Sequence, residues 1–192
     1  MTDTLALVGA NPAVTLFDGD EPVAFASLWR VDWSPRGSGT TIVLWYAGRV
    51  RVFGSDTEIS RMVEADFTQY FPEVQDLAWS APEFVAGPAV LRSSLSTGAV
   101  ATAPGIEVEI SGLMDRREFS TADFPLSPDR AAYGLRLVLA PASDARIIVD
   151  GVQLPGRPRT GGTVECPTSS AFVTDAEVWT YGTRMPSGPP AA

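Results

Sequence analysis

The sequence predicts a mainly β protein, either a single antiparallel β-barrel or a β-sandwich, with one amphipathic helix at about residues 55–71. Three observations favour this class. Short segments alternate apolar and polar residues with the period of two that a half-buried strand requires. Turn-forming pairs such as Ala47-Gly48 and Asp150-Gly151 separate several of these segments. One segment has helical spacing instead, and a barrel that curls around this helix is the first of the two architectures we expect.

The first predicted strands precede the helix. Segment 22–33 places Trp29 and Trp33 on the same face, because they are separated by an even number of residues. Segment 40–46 is β-branched and aromatic and is apolar on both faces at its centre, which is typical of an internal strand. Segment 49–53 returns after a two-residue turn, so the last two segments are expected to form a hairpin.

The helix is expected over 55–71 because apolar residues recur along it at three- and four-residue spacing. Ser55 and Glu58 have the spacing of a capping box, which satisfies two of the free N–H groups at a helix start. Pro72 is expected to end the helix, since its ring removes a backbone donor and clashes with the preceding turn. Such a helix would lie against a sheet or plug one end of a barrel.

Further strands are expected after the helix. They are segments 91–95, 99–103, 106–110, 135–139, 146–149, 152–154 and 172–181. In segment 135–139, Leu135, Leu137 and Leu139 share one face. Segments 72–88, 120–132 and 155–170 are predicted to be loops because Pro and Gly interrupt them. Residues 1–185 are expected to form one β-rich domain, and 186–192 a disordered tail. In outline this order resembles lipocalin-like barrels, which implies an architecture and no activity.

The residue content excludes much familiar chemistry. The 192 residues include 23 acidic and 14 basic side chains, for a net charge of −9, and neither histidine nor lysine occurs. An acidic chain without a basic cluster is not expected to bind nucleic acid or an anionic membrane. Without histidine there is no Ser-His-Asp triad and no imidazole metal ligand, and without lysine there is no Schiff base or P-loop. We therefore expect no cofactor and no metal.

The single cysteine, Cys166, cannot form an intramolecular disulfide and follows the acidic Glu165, so a buried and inert thiol is expected. Segment 1–10 has no basic region of the kind that begins a signal peptide. No apolar run approaches the ~20 residues of a membrane-spanning helix. These features predict a cytoplasmic protein.

Aromatic residues of the predicted strands are the candidate ligand-binding set. They are Trp29, Trp33, Trp45, Tyr46, Trp179 and Tyr181. If several of them line one cavity, that cavity suits a flat or apolar ligand. The alternative is that they pack in the core, with their polar atoms bonded to the backbone.

Two carboxylates are the candidate catalytic residues. Glu177 shares a predicted strand face with Trp179, and with Asp175. If that face lines a cavity, burial raises the pKa of the glutamate towards neutrality, as in many general acids. Asp32 shares a strand face with Arg30, which would orient it. The alternative for both is a solvated carboxylate on an outer face.

These observations predict binding of an apolar or aromatic small molecule in a β-barrel cavity, with cofactor-free isomerase or cyclase activity as an extension. A cavity smaller than roughly 300 Å³ would exclude this function. The alternative is a non-catalytic structural or interaction module, for example a homodimer or a subunit that pairs through a strand edge. A carboxylate-dependent hydrolase ranks lowest, because Glu107 and Glu109 lie on a face expected to meet solvent.

Overall fold

The protein is described by a computed structural model for residues 4–126 and 132–181. In this part of the chain, thirteen strands join in one continuous sheet and a further pair forms a small separate sheet, so the predicted mainly β class is confirmed. The strands are β1 (Thr4–Ala10), β2 (Ala13–Asp18), β3 (Glu21–Trp33), β4 (Gly39–Tyr46), β5 (Arg49–Gly54), β6 (Glu83–Ala86), β7 (Val90–Ser94), β8 (Gly98–Ala103), β9 (Ile106–Leu113), β10 (Arg117–Phe124), β11 (Tyr133–Val149), β12 (Val152–Gln153), β13 (Thr160–Gly162), β14 (Pro167–Ser169) and β15 (Ala171–Tyr181).

The large sheet folds over at β11, a strand of 17 residues. The first half of β11, up to Pro141, pairs with β15 and β10, and the second half, from Ala142, pairs with β9. The strand order is β6-β5-β4-β3-β1-β15-β11-β9-β8-β7, with β10 and β12 beside β11 and β2 beside β3 and β15. The strands at the two ends of this order do not pair with each other in the described chain. The sheet is therefore not a clean barrel, and its outline is consistent with either predicted architecture.

Two apolar cores lie on opposite faces of β3. Phe25 and Trp29 belong to the first core, which includes the helical residues, whereas Ala26 and Leu28 belong to the second. The second core also contains Ile147 and its neighbours from β8 and β9, so it fills the space between the two halves of the sheet. Alternation from Ala24 to Val31 of β3 thus places residues on two buried faces, because each face is covered by a different part of the chain.

The predicted helix is present but changes its geometry along its length. Helix α1 (Thr57–Met62) continues into a wider turn at Val63–Phe67 and a tighter turn at Thr68–Tyr70. Phe71 is extended and Pro72 opens a further short turn, Pro72–Val74, so the helix ends where the proline predicts. Residues 57–74 are called the helical segment below.

The predicted capping box is wrong. Asp56 occupies the N-cap position, and its Oδ1 atom accepts hydrogen bonds from the backbone N–H groups of Glu58 and Ile59 at 2.9 and 3.0 Å. Ser55 instead donates its hydroxyl to the carbonyl of Gly87 at 3.3 Å. Aspartate caps helices as well as serine, so the adjacent Asp56 can take the position.

The predicted loops contain unexpected strands. Segment 72–88 includes β6, which pairs in parallel with β5, and segment 120–132 begins inside β10. Segment 155–170 holds the β13–β14 hairpin. Strands β1 and β2 had no counterpart among the predictions. The predicted tail, 186–192, lies outside the described residues, and no helix in the described chain is long and apolar enough to cross a bilayer.

Candidate functional site

A cleft of about 340 Å³ opens on the face of the sheet that carries the helical segment. Its wall comes from β10, the first half of β11, β14, β15 and the turn at Pro72. The apolar lining residues are Phe71, Pro72, Phe119, Phe124, Leu135, Leu137, Leu139, Pro141, Phe172 and Trp179. The polar ones are Asn11, Glu73, Arg117, Thr168, Ser169, Thr174 and Glu177. The cleft is therefore mostly apolar, with few charged groups.

Strand β11 supplies one wall by simple alternation. Leu135, Leu137 and Leu139 were predicted to share a face, and all three line the cleft. Edge strand β10 extends this wall, because Phe119 pairs with Leu137 across the two strands. Phe119 is 42% exposed, so an aromatic ring stands partly in solvent at the cleft.

Glu177 is the buried ionisable residue among those that line the cleft. The residue is only 2% exposed. Its Oε1 atom accepts a hydrogen bond from the Trp179 indole at 2.9 Å, and its Oε2 atom accepts one from the Thr174 hydroxyl at 3.1 Å. The Thr174 oxygen in turn accepts the backbone N–H of Asn11 at 2.7 Å. Both carboxyl oxygens are therefore held by donors of fixed position.

Burial raises the pKa of Glu177 to about 7, because a charged carboxylate is poorly solvated there. Hydrogen bonds from Trp179, Thr174 and the Asn11 backbone lower this pKa, but they act more weakly than burial. Within residues 4–126 and 132–181, no arginine forms a salt bridge with Glu177. The carboxyl consequently changes its charge near neutral pH.

A β-bulge at Ala176 turns Glu177 into the cleft. Ala176 and Glu177 together stand opposite the single residue Leu137 of β11, and Ala176 has a φ of 51°, in the left-handed region. The extra residue breaks the alternation, so Asp175 lies on a different face and pairs with Arg30 at 3.1 Å. The predicted common face of Asp175 and Glu177 is wrong for this reason.

Trp179 is the member of the predicted aromatic set that lines the cleft. Its ring is stacked on Phe71, with centroids 6.4 Å apart and planes at 15°. Phe124 meets it edge-on at 5.4 Å. Trp29 lies behind this wall, fully buried against Phe71, and donates its indole N–H to the Thr68 hydroxyl at 2.9 Å. Trp29 supports the cleft without lining it.

The other predicted aromatic residues do not line the cleft. Trp45 is buried in the first core and donates its indole N–H to the carbonyl of Ala78 at 3.2 Å. Trp33, Tyr46 and Tyr181 are exposed at the ends of their strands. The structure therefore does not bring the six predicted aromatic residues together.

Asp32 also lies away from Glu177. Its side chain is half exposed near the end of β3 and pairs with Arg30 at 3.1 Å. It does not line the cleft, so the two predicted catalytic carboxylates occupy separate places in the structure.

The sequence suggests that Arg116 and Arg117 clamp a carboxylate ligand or, as the alternative, pair with the flanking Asp115 and Glu118. It did not predict that Arg117 or Glu73 lies at the edge of the cleft. Arg117 donates from Nη1 to the Cys166 sulfur at 2.6 Å and from Nη2 to the carbonyl of Pro167, and it lies 3.8 Å from Asp115. Cys166 is exposed, so the predicted buried thiol is wrong. Glu73 is an exposed lining residue whose carboxyl pKa is raised by partial desolvation. This edge forms because β10 lies against segment 163–169, which is distant from it in the sequence. No local sequence pattern predicts such a contact.

No group of three or more acidic or cysteine side chains in the described chain is placed to hold a metal ion. No protein-family model, curated protein or solved structure matches this chain. The function is therefore argued from the cleft itself.

Proposed function

We propose that this protein binds an apolar or aromatic small molecule in the cleft, with Glu177 as the ionisable group at its floor. The observation that carries the proposal is the position of this carboxyl, buried and hydrogen-bonded within a wall that is otherwise mostly apolar. Small-molecule sites typically combine an apolar lining with a few fixed polar groups, in volumes of roughly 300–1,000 Å³. The cleft has about 340 Å³.

A bound ligand gains most of its free energy from apolar contact. The rings of Phe119 and Phe124 and the side chain of Leu137 supply a broad apolar wall. Each Å² of apolar surface removed from water contributes roughly 25 cal/mol. Because Phe119 is substantially exposed, a ligand that covers it removes additional apolar surface from water.

Cofactor-free isomerisation or cyclisation extends this proposal. A carboxyl that titrates near neutral pH both accepts and returns a proton efficiently. In an isomerisation, the Glu177 carboxylate would remove a proton from one ligand carbon and return it to another, so that the protein ends in its starting state. The cleft would hold the ligand in its reactive shape.

A neutral fluorescent probe, N-phenylnaphthylamine, tests the binding proposal. We expect saturable binding with one probe per chain. Leu137→Trp fills the cleft and should abolish binding, whereas Val152→Trp, at an exposed strand position outside the cleft, should not. Thermal melts verify that both variants are folded. Absence of saturable binding, or equal binding by the two variants, would contradict the proposal.

A second candidate is a homodimeric interaction module. In the described chain β10 pairs with β11 alone, and this open edge carries the exposed Phe119. An unprotected edge strand is able to pair with a second copy. Light scattering during size-exclusion chromatography tests this, and a monomer at high concentration would exclude it. A cytoplasmic location stays a prediction from the residue content.

A further inference from the structure

The buried carboxyl of the cleft has no positive partner within the described chain. Two half-exposed carboxylates have one: Asp32 and Asp175 both pair with Arg30 at 3.1 Å. Glu177 is more deeply buried than either, yet it makes no salt bridge with any residue that the structure describes. A buried carboxylate is costly unless a cation or strong donors compensate it. A ligand that brings a positive charge would remove this cost.

The hydrogen bonds around Glu177 show which kind of ligand group fits. The Trp179 indole N–H is only a donor, and the Thr174 oxygen already accepts from Asn11, so the threonine hydrogen points to Glu177. The two carboxylate oxygens have four lone pairs in all. Trp179, Thr174 and the Asn11 backbone donate to this carboxyl, which leaves at least one lone pair for a ligand. The neighbouring groups thus donate hydrogen bonds to an ionised carboxylate. The ligand group that complements this carboxylate is a further hydrogen-bond donor.

A carboxylate favours a positive donor over a neutral one, because a charge-assisted hydrogen bond is roughly twice as strong as one between neutral groups. Trp179 turns its N–H edge to Glu177 Oε1 at 2.9 Å, and Phe71 is stacked on the Trp179 ring. The ring therefore holds the carboxyl in place through its donor. A cation in the cleft would bind the carboxylate itself, and the apolar wall would contact the rest of the ligand.

Besides Glu177, the charged residues that line the cleft are one carboxylate and one arginine. Glu73, from the helical segment, is negative when ionised. Arg117, from β10, is already engaged by Asp115, Cys166 and Pro167. Arg136 of β11 and Asp175 of β15 are in the strands next to Glu177 but do not line the cleft. The net charge of −9 also favours the approach of cations over anions.

We infer that the natural ligand is an amine with an aromatic or branched apolar body, whose ammonium group binds the Glu177 carboxylate beside the Trp179 ring. This inference rests on the proposed function, because it names the ligand class of the same cleft. The ammonium donates to the carboxylate, and the apolar body contacts Leu137 and Phe119.

Three probes of similar shape test the inference by isothermal titration calorimetry. They are naphthylethylamine, which is a cation at about pH 8, the neutral naphthylethanol, and the anionic naphthylpropionate. We expect the amine to bind at least about tenfold more tightly than the alcohol, as a charge-assisted hydrogen bond implies, and the acid to bind most weakly. The variant Glu177→Gln should lose the preference for the amine over the alcohol.

Glu64→Gln is the matched control. Glu64 is a buried glutamate that accepts a hydrogen bond from the Trp79 indole at 3.1 Å, and burial raises its pKa too, but it does not line the cleft. This variant should keep the full preference for the amine. A loss of preference in Glu64→Gln equal to that in Glu177→Gln would overturn the inference.

The pH dependence of the wild-type protein gives a test that needs no variant. As the pH falls from about 8 to about 5.5, Glu177 takes up a proton, and the affinity for the amine should fall while that for the alcohol stays constant. An affinity for the amine that does not change, or an alcohol that binds as tightly as the amine, overturns the inference but leaves the proposed function intact. If none of the probes binds and N-phenylnaphthylamine also fails, both are wrong.

Discussion

Replacing Glu177 by glutamine measures how strongly burial of this carboxyl opposes folding. In the folded protein, burial raises its pKa from the ordinary 4.5 to about 7. Between these values the folded protein retains a proton that the unfolded chain has released, so stability falls as the pH rises through this window. A difference of one in pKa corresponds to about 1.4 kcal/mol. The carboxyl therefore lowers the free energy of unfolding by about 3 kcal/mol above neutral pH, and by nothing below the ordinary pKa, where both states are protonated.

The variant Glu177→Gln cannot titrate, so it isolates this contribution. The free energy of unfolding of the wild type minus that of the variant should fall by about 3 kcal/mol between acid and mildly alkaline pH. The variant should in addition lose about 1–3 kcal/mol of stability at every pH, because its amide NH₂ faces one of the donors, Trp179 or Thr174. Urea unfolding at a series of pH values supplies the data. Glu64 and Glu73 titrate in both proteins, so their contributions cancel in the difference between wild type and variant. If this difference in unfolding free energy does not change with pH, the reasoning is refuted.

Three further predictions concern the backbone, each measured by urea unfolding. Asp56→Ala removes the N-cap and should cost about 1 kcal/mol, whereas Ser55→Ala should cost much less; equal costs would contradict the assigned cap. Gly9→Ala drives a Cβ into the backbone oxygen of Arg30 in β3 and should cost about 2 kcal/mol or more. Gly48→Ala, with open space around it and a φ of 71°, should cost only about 1 kcal/mol. Ala176→Gly relieves a left-handed alanine and should leave stability unchanged or raise it by up to about 1 kcal/mol; a clear loss would contradict this account.

Local periodicity predicted the parts of the cleft that lie on single strands. Alternation placed Leu135, Leu137 and Leu139 on one face of their strand. It placed Glu177 and Trp179 on one face of a second strand, and both sets line the cleft. A period of two fails at a bulge, and nothing in the type of residue at Ala176 marks one. Asp175 was therefore placed on the wrong face, although Glu177 was not.

The extent of each buried face was not predictable from the same pattern. Trp29 and Trp33 were predicted to share a face of β3, but the register with β1 shifts between Val31 and Trp33, so Trp33 turns to the other face. Trp29 is covered by the helical segment, whereas Trp33 is 45% exposed near the strand end. Which part of a face is covered depends on the packing of distant elements. For the same reason the sequence did not predict Arg117 or Glu73 at the cleft, since their neighbours come from other parts of the chain.

The central position of β15 has a consequence for how fast the protein folds. This strand carries Glu177 and Trp179, and it lies between β1 and β11 in the sheet. The hydrogen bond from Asn11 to Thr174 joins residues 163 positions apart in the sequence. Bringing together the ends of so long a segment lowers the conformational entropy of the chain before native contacts offset this loss. Topologies dominated by such contacts therefore fold slowly. The cleft should therefore be among the last features to form during refolding, after the local hairpin of β4 and β5.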